Sequence, residues 1–305
     1  FFRLFKDGLI YRGRRLVNWD TMLQTAVADD EVFHEPVAGY FWYFRYPVID
    51  PQPGEPAFVT IATTRPETML GDTAVAVHPD PEAAMEKAER ELRKRLQSAG
   101  EKERKELEQE LEDLSTRRQT LLPTLLKLRD MARAGRMVML PLQNRPIPLI
   151  ADIWAKPEMG TGCVKITPAH DPNDFEAGRR HNLPLIQVID GTAHMTAAAG
   201  PYAGLDRFEA RKRVVADLEA LGLLVETKKH KLMVPRCART GQIIEPMLTD
   251  QWFIAMNQVG RGDATGRSIA GKAIDAVASG QVRFVPENWV NTYNQWMNNI
   301  QDWCI

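Results

Sequence analysis

Gly160-Thr161-Gly162-Cys163-Val164-Lys165-Ile166-Thr167-Pro168-Ala169-His170-Asp171-Pro172-Asn173-Asp174-Phe175 reads as a strand that turns into a helix. Along an extended Lys165-Ile166-Thr167 segment side chains alternate, so Lys165 and Thr167 share one face while Ile166 enters the core. Asp171 then suits an N-cap, Pro172 the first turn and Asp174 the third position after the cap. Both carboxylates lie at one helix end, facing the strand that bears Lys165. Two uses stay open at this level: acidic residues that satisfy backbone donors and the helix dipole, or a polar pocket that holds a ligand.

Working outward, Thr63-Thr64-Arg65-Pro66-Glu67-Thr68 ends the apolar run Phe58-Val59-Thr60-Ile61-Ala62. Pro66 suits a first helical turn and Gly71 its end, so residues 64–71 read as a strand end, a tight bend and one or two helical turns, with Thr64, Glu67 and Thr68 as capping residues. Upstream, residues 40–48 alternate Phe41, Tyr43 and Arg45 against Trp42, Phe44 and Tyr46, the period of a strand. Short strands are expected at 75–77, 137–140, 147–150, 162–167 and 185–189. The fold class predicted is α+β, mainly β, with a closed or partly closed barrel and peripheral helices. Residues 206–221 read as an amphipathic helix with Phe208, Val214, Val215, Leu218 and Leu221 inward, stopped by Gly222. Residues 223–227 and 231–235 follow as return strands.

The two quoted stretches resemble the walls of the hydrolytic editing pocket of class I aminoacyl-tRNA synthetases for branched aliphatic amino acids. Lys165 and the run from Ile166 to Asp171 are most similar to the valine branch of that family; the isoleucine and leucine branches carry other residues there. Leu9-Ile10-Tyr11-Arg12-Gly13, Leu16-Val17-Asn18-Trp19-Asp20, Leu248-Thr249-Asp250-Gln251-Trp252 and Gln301-Asp302-Trp303-Cys304-Ile305 resemble segments that flank the editing insertion. The resemblance implies that residues 1–38 flank from the catalytic domain, that 39–225 form the editing domain, and that 226–305 hold return strands and a further flanking segment. The synthetase signatures His-Ile-Gly-His and Lys-Met-Ser-Lys-Ser do not occur, so the expectation is a piece of a larger enzyme that does not itself activate valine.

What the resemblance implies for chemistry is hydrolysis of an ester at the 3′ end of tRNA. Valine and threonine are nearly isosteric, and an apolar synthetic site discriminates between them by only ~10²-fold, so a second site must read the hydroxyl. Asp174 would receive the α-ammonium, and Lys165, Thr167 and Asp171 would surround the threonine side chain. Lys165 either reads the hydroxyl or only neutralises the aspartates. Thr63, Thr64, Arg65, Glu67 and Thr68 would hold the terminal adenosine, with Thr64, Arg65 and Asp174 placing the ester carbonyl and water. Asp72 and His170 are weaker candidates. An isoleucine or leucine editing domain and a non-catalytic module for the tRNA acceptor end are the alternatives.

Between His78-Pro79 and Val138-Met139 the family has a short connection, whereas residues 82–134 here are dense in Glu, Lys, Arg, Leu and Ala. Leu107, Leu111, Leu114, Arg118, Leu121, Leu125 and Leu128 recur in steps of four and three, and Met85, Ala88, Leu92, Leu96 and Ala99 nearly do so. Gly100 divides the stretches and Pro123 should kink or end the second. An antiparallel helical hairpin follows, about 30 Å long at ~1.5 Å per residue. Read as a solvated protrusion that pairs with itself, it should be removable without loss of hydrolysis.

Bulk properties set the outer limits. A chain of 305 residues with 44% hydrophobic content can bury a real core, and a formal net charge of -1 gives no global pull toward nucleic acid. Tracts such as Arg211-Lys212-Arg213 and Lys228-Lys229-His230-Lys231 read first as solvated faces. Cys163, Cys237 and Cys304 are odd in number and far apart, with no Cys-x-x-Cys, which argues against a disulfide framework or a zinc knuckle. No apolar run approaches the ~20 residues of a membrane span. No cofactor or metal is expected; the partners expected are the acceptor end of valine tRNA and its misattached threonine, with a monomer in the cytoplasm.

Overall fold

The computed structural model describes the backbone of residues 1–305 and every side chain except that of Lys102. Along the chain run α1 (Phe2–Lys6), β1 (Ile10–Asp20), β2 (Thr25–Val27), β3 (Val32–Pro47), β4 (Phe58–Thr63), β5 (Ala74–Val77), α2 (Pro81–Ser98), α3 (Glu101–Thr120), α4 (Leu122–Arg133), β6 (Met137–Leu140), β7 (Arg145–Ala151), β8 (Cys163–Ile166), α5 (Pro172–Arg180), α6 (Arg207–Ala220), β9 (Leu224–Cys237), β10 (Glu245–Ile254), α7 (Ile269–Ala278), α8 (Trp289–Asn298) and β11 (Trp303–Cys304). Compactness divides the chain into two units, Phe1–Arg15 with Leu248–Ile305, and Leu16–Met247. In the smaller unit β10 pairs with β11, Phe253 opposite Cys304. Arg15 there donates to Asp302 at 2.9 Å and lies over the ring of Phe253.

The larger unit carries the candidate site residues, all between Thr63 and Asp174. Its long strand β3 lies between β4 and β9, antiparallel to both. Along β4, Val59, Ile61 and Thr63 are buried while Phe58, Thr60 and Ala62 are not, the alternation expected of a strand with one face on the core. A separate sheet runs in the order β6-β7-β5-β8. Its strand β5 is buried along its whole length because both faces are covered. Val75 and Val77 join the main core, and Ala74 and Ala76 pack with Ile166 and with Ala177 of α5. Among the described residues the strands form open sheets and no closed barrel, which corrects the expected closure: β4 and β5 belong to different sheets. Residues 185–189 make only an isolated bridge, Ile189 to Met195, because the N–H of Val188 is taken by the Nε2 of His170. The two return strands are one, β9, and Leu221 is exposed because it lies past the last turn of α6, at its C-cap.

Strands β5 and β7 are parallel, Val75 opposite Leu149, so the chain between them must cross over the sheet. Helices α2, α3 and α4 lie within that crossover. Gly100 is the N-cap of α3, and the break before α4 falls at Leu121, with Pro123 in the first turn of α4 where its missing N–H costs nothing. Arg118, which interrupts the leucine spacing, donates to Glu86 at 2.9 Å and lies within 3.6 Å of Glu82 and Glu89 on α2. An arginine is accommodated on this seam because the facing helix supplies carboxylates. The base of the insertion is core: Met85, Leu114, Leu122, Leu125, Leu128 and Met131 belong to the main cluster. A Cβ on Gly162, whose φ is +75°, would meet Leu125 at 2.7 Å, so α4 packs directly on the chain entering β8. Residues 82–134 are therefore not a free protrusion, because their second half forms one cover of the sheet.

Candidate active site

The two quoted stretches meet because β5 pairs antiparallel with β8, Val75 opposite Lys165 and Ala74 opposite Ile166. That register brings the loop after β4 beside the end of β8. The loop is a tight turn of 3₁₀ helix, Pro66–Gly71, buried throughout. Gly71 is required there, since a Cβ would stand 2.8 Å from the carbonyl oxygen of Ile186.

A cavity of about 300 Å³ opens between these segments, and Thr63, Thr64, Arg65 and Thr68 line one side while Lys165, Thr167, Asp171 and Asp174 line the other. Phe41, Ala62, Trp154, Val164 and His170 complete its wall. Glu67 is the exception among the expected residues. It is fully buried behind Arg65, with one oxygen 3.2 Å from the Arg65 Nε and both oxygens bonded to Arg211 at 2.7 and 2.8 Å. It does not line the cavity, and its carboxylate is paired with Arg65 and Arg211.

Asp171 caps α5 as its spacing suggests, one oxygen accepting the N–H groups of Asn173 at 2.8 Å and Asp174 at 3.0 Å. Asp174 accepts from the Thr167 backbone N–H and from the Trp154 indole, both at 2.9 Å. Burial pushes its carboxyl up to about 7; the charge of Lys165 opposes this and that of Asp171 adds to it. Lys165 does not pair with either aspartate. Its ammonium reaches Asp72 at 3.3 Å and Thr68 at 3.1 Å, and donates to Thr167. The sequence places Lys165 opposite the helix cap, but the β5–β8 register sets a buried carboxylate closer. Asp72, fully buried, also accepts from Thr167 Oγ1 at 2.6 Å and from Tyr46 at 2.7 Å. Burial raises its carboxyl above the usual range despite the Lys165 charge.

Behind the cavity three guanidiniums meet two carboxylates. Arg65 donates to Glu245 at 2.5 Å, and Arg207 to the other Glu245 oxygen at 2.6 Å. Burial alone would lower the Arg65 pKa, but Glu245 and Glu67 outweigh it and hold the group charged. His170 is neutral: burial, then the charges of Arg65 and Lys165, push it down to about 3. Its Nε2 accepts the Val188 N–H at 2.8 Å, so the proton sits on Nδ1, which has no partner. The ring has no lone pair left with which to act as a base. Sequence reasoning missed Trp154, Tyr46, Arg207 and Glu245, none of which belongs to the two stretches. It placed Arg211 on a solvated face, yet Arg211 is the counter-charge of Glu67.

In chemical terms the cavity offers a carboxylate at Asp174, acceptor oxygens at Thr68 and Thr167, and a guanidinium at Arg65. The profile for tRNA synthetases class I (I, L, M and V) matches residues 1–305, and the chain belongs to that family. Among its relatives are the proteins named valine–tRNA ligase from Rhodopirellula baltica, 54% identical over 305 residues, and Chromobacterium violaceum, 50% identical over 321 residues. A third, from Dechloromonas aromatica, is 51% identical over 306 residues. Each match covers 100% of this chain and 28%, 29% and 27% of the respective relative, so the chain spans less than a third of their length. No helix among the described residues is long and apolar enough to cross a membrane.

Proposed function

We propose that this chain carries the post-transfer editing site of a valine–tRNA ligase and hydrolyses the ester that joins threonine to the 3′ end of valine tRNA. The observation that carries the reading is the shared cavity, which brings Arg65 and Thr68 together with Lys165, Thr167 and Asp174. Asp174 receives the α-ammonium by a charge-assisted hydrogen bond, and Thr63 and Thr64 at the end of β4 meet the terminal adenosine. Arg65, held by Glu67 and Glu245, faces the ester carbonyl. Attack by water breaks the acyl–oxygen bond and yields free threonine and a 3′ hydroxyl. The Nε2 lone pair of His170 is taken by the Val188 N–H, so the reading has the water held by pocket groups and assisted by the neighbouring ribose hydroxyl of the substrate. The same reading takes the acceptor end of valine tRNA as partner and a cytoplasmic monomer as the working form. Its test is the rate at which the chain deacylates threonine-charged valine tRNA against the valine-charged control. A clear preference for threonine supports the reading, and equal rates remove it.

A further inference from the structure

The donors in the cavity floor are spent within the protein. An ammonium has three N–H groups and no acceptor. Those of Lys165 are spent on Thr68 Oγ1, Asp72 Oδ1 and Thr167 Oγ1, all within the protein. A threonine hydroxyl has one proton and two lone pairs. The Thr167 proton goes to Asp72 at 2.6 Å, and the Thr68 proton to the Arg65 carbonyl oxygen at 3.0 Å. Each hydroxyl also accepts from Lys165, so each keeps one lone pair and nothing to donate. The floor around Lys165 is thus a set of acceptors, Thr68, Thr167 and the carboxylate of Asp174, and Lys165 itself is not free to donate to a guest.

We propose that Asp72 is a positioning residue that sets this polarity: by taking the Thr167 proton and a Lys165 N–H, it makes the pocket select an aminoacyl side chain that donates a hydrogen bond. The proposal rests on the editing reading and sharpens its substrate class, to esters of α-amino acids with a hydroxyl proton on the β-carbon. Valine is passed over because it leaves a buried lone pair unmet, and an isostere whose β-substituent can only accept meets acceptors alone. Tyr46, which donates to the second Asp72 oxygen at 2.7 Å, keeps the carboxylate turned toward Lys165 and Thr167. Lys165 then acts through the hydroxyls it binds.

The experiment compares hydrolysis of three esters of valine tRNA by the full chain: threonyl, valyl and 2-amino-3-fluorobutyryl, whose fluorine replaces the hydroxyl and cannot donate. The threonyl ester should be cleaved about 30-fold faster or more than the fluoro ester, which should fall with the valyl ester. A fluoro ester cleaved within about threefold of the threonyl ester, while valyl stays slow, overturns the inference and leaves the editing reading standing. Equal rates for all three esters take both away. Asp72→Ala frees the Thr167 proton and a Lys165 N–H to donate, and should narrow the threonyl-to-fluoro gap to below about fivefold, with the threonyl rate falling and the fluoro rate holding or rising. A folded Asp72→Ala protein with the wild-type gap, or one in which all three rates fall together, removes Asp72 from the selection. The wild-type comparison stands even where that variant fails to fold.

Discussion

Residues 63–72 with 163–174, and the helical insertion that spans α2 to α4, are both rich in charge, yet their charges behave differently. In the first region Glu67 and Asp72 are fully buried and are paired with Arg211 and Lys165. In the second, pairs such as Arg93 with Glu89 and Lys87 with Glu91 are exposed, where such contacts contribute about 0–1 kcal/mol. Charge near the cavity decides geometry and chemistry, whereas charge on the insertion keeps a helix solvated. What makes the insertion matter is its leucines.

That contrast can be broken most forcefully by removing residues 82–134 altogether. Loss of Leu122, Leu125 and Leu128 from the core should prevent folding, seen as loss of a cooperative melting transition; an active, folded deletion would show that the helices are dispensable. Trimming only the tip, around Gly100, should leave both the fold and the rate intact. On the apolar side, Leu125→Ala should cost about 2–5 kcal/mol in denaturant unfolding, since the side chain is fully buried against Gly162. On the charged side, Asp174→Ala should slow threonyl-tRNA deacylation by about 100-fold or more while the protein still unfolds in a cooperative transition, because the ammonium loses its acceptor. At the small end, Arg118→Ala should destabilise by no more than about 1 kcal/mol, as its carboxylate partners are half exposed. A loss several times larger would place the insertion's charges on the same footing as those of the cavity.

The pH dependence sharpens the same distinction. With its carboxyl raised to about 7 by burial, Asp174 must lose a proton before it can hold an ammonium, so kcat/KM should rise with pH up to about 7 and level above it. The sign for stability is the reverse. The folded state holds that proton where the unfolded chain has released it, so this group's contribution to stability falls as pH rises from its ordinary value of 3.8 to about 7. Asp174→Asn should flatten the rate profile over this range. An unchanged profile would move the titrating group elsewhere.

Local rules made much of this legible. The Asp171-Pro172 helix start, the shared face of Lys165 and Thr167, the break at Gly100 and the helix boundary just before Pro123 all depend on neighbours in sequence, where capping, alternation and proline sterics act. The partner of Lys165 was not legible in that way. Asp72 stands 93 positions away, and only the choice of β8 as neighbour of β5 brings them together. The same holds for Glu245, 180 positions from Arg65. Sheet closure was overread because strand periodicity shows which face is buried, not which strands pair. The insertion was underread for a related reason: heptad spacing fits self-pairing helices, and the parallel β5–β7 pair that makes them a crossover is invisible until the sheet order is known.

The most direct measurement is a crystal structure of the chain with a non-hydrolysable threonyl amide of 3′-amino-3′-deoxyadenosine. The account requires the α-ammonium on Asp174, the side-chain hydroxyl against Thr167 and the adenosine along Thr63 and Thr64. A ligand seated outside this cavity, or one whose ammonium lies away from Asp174, would contradict it.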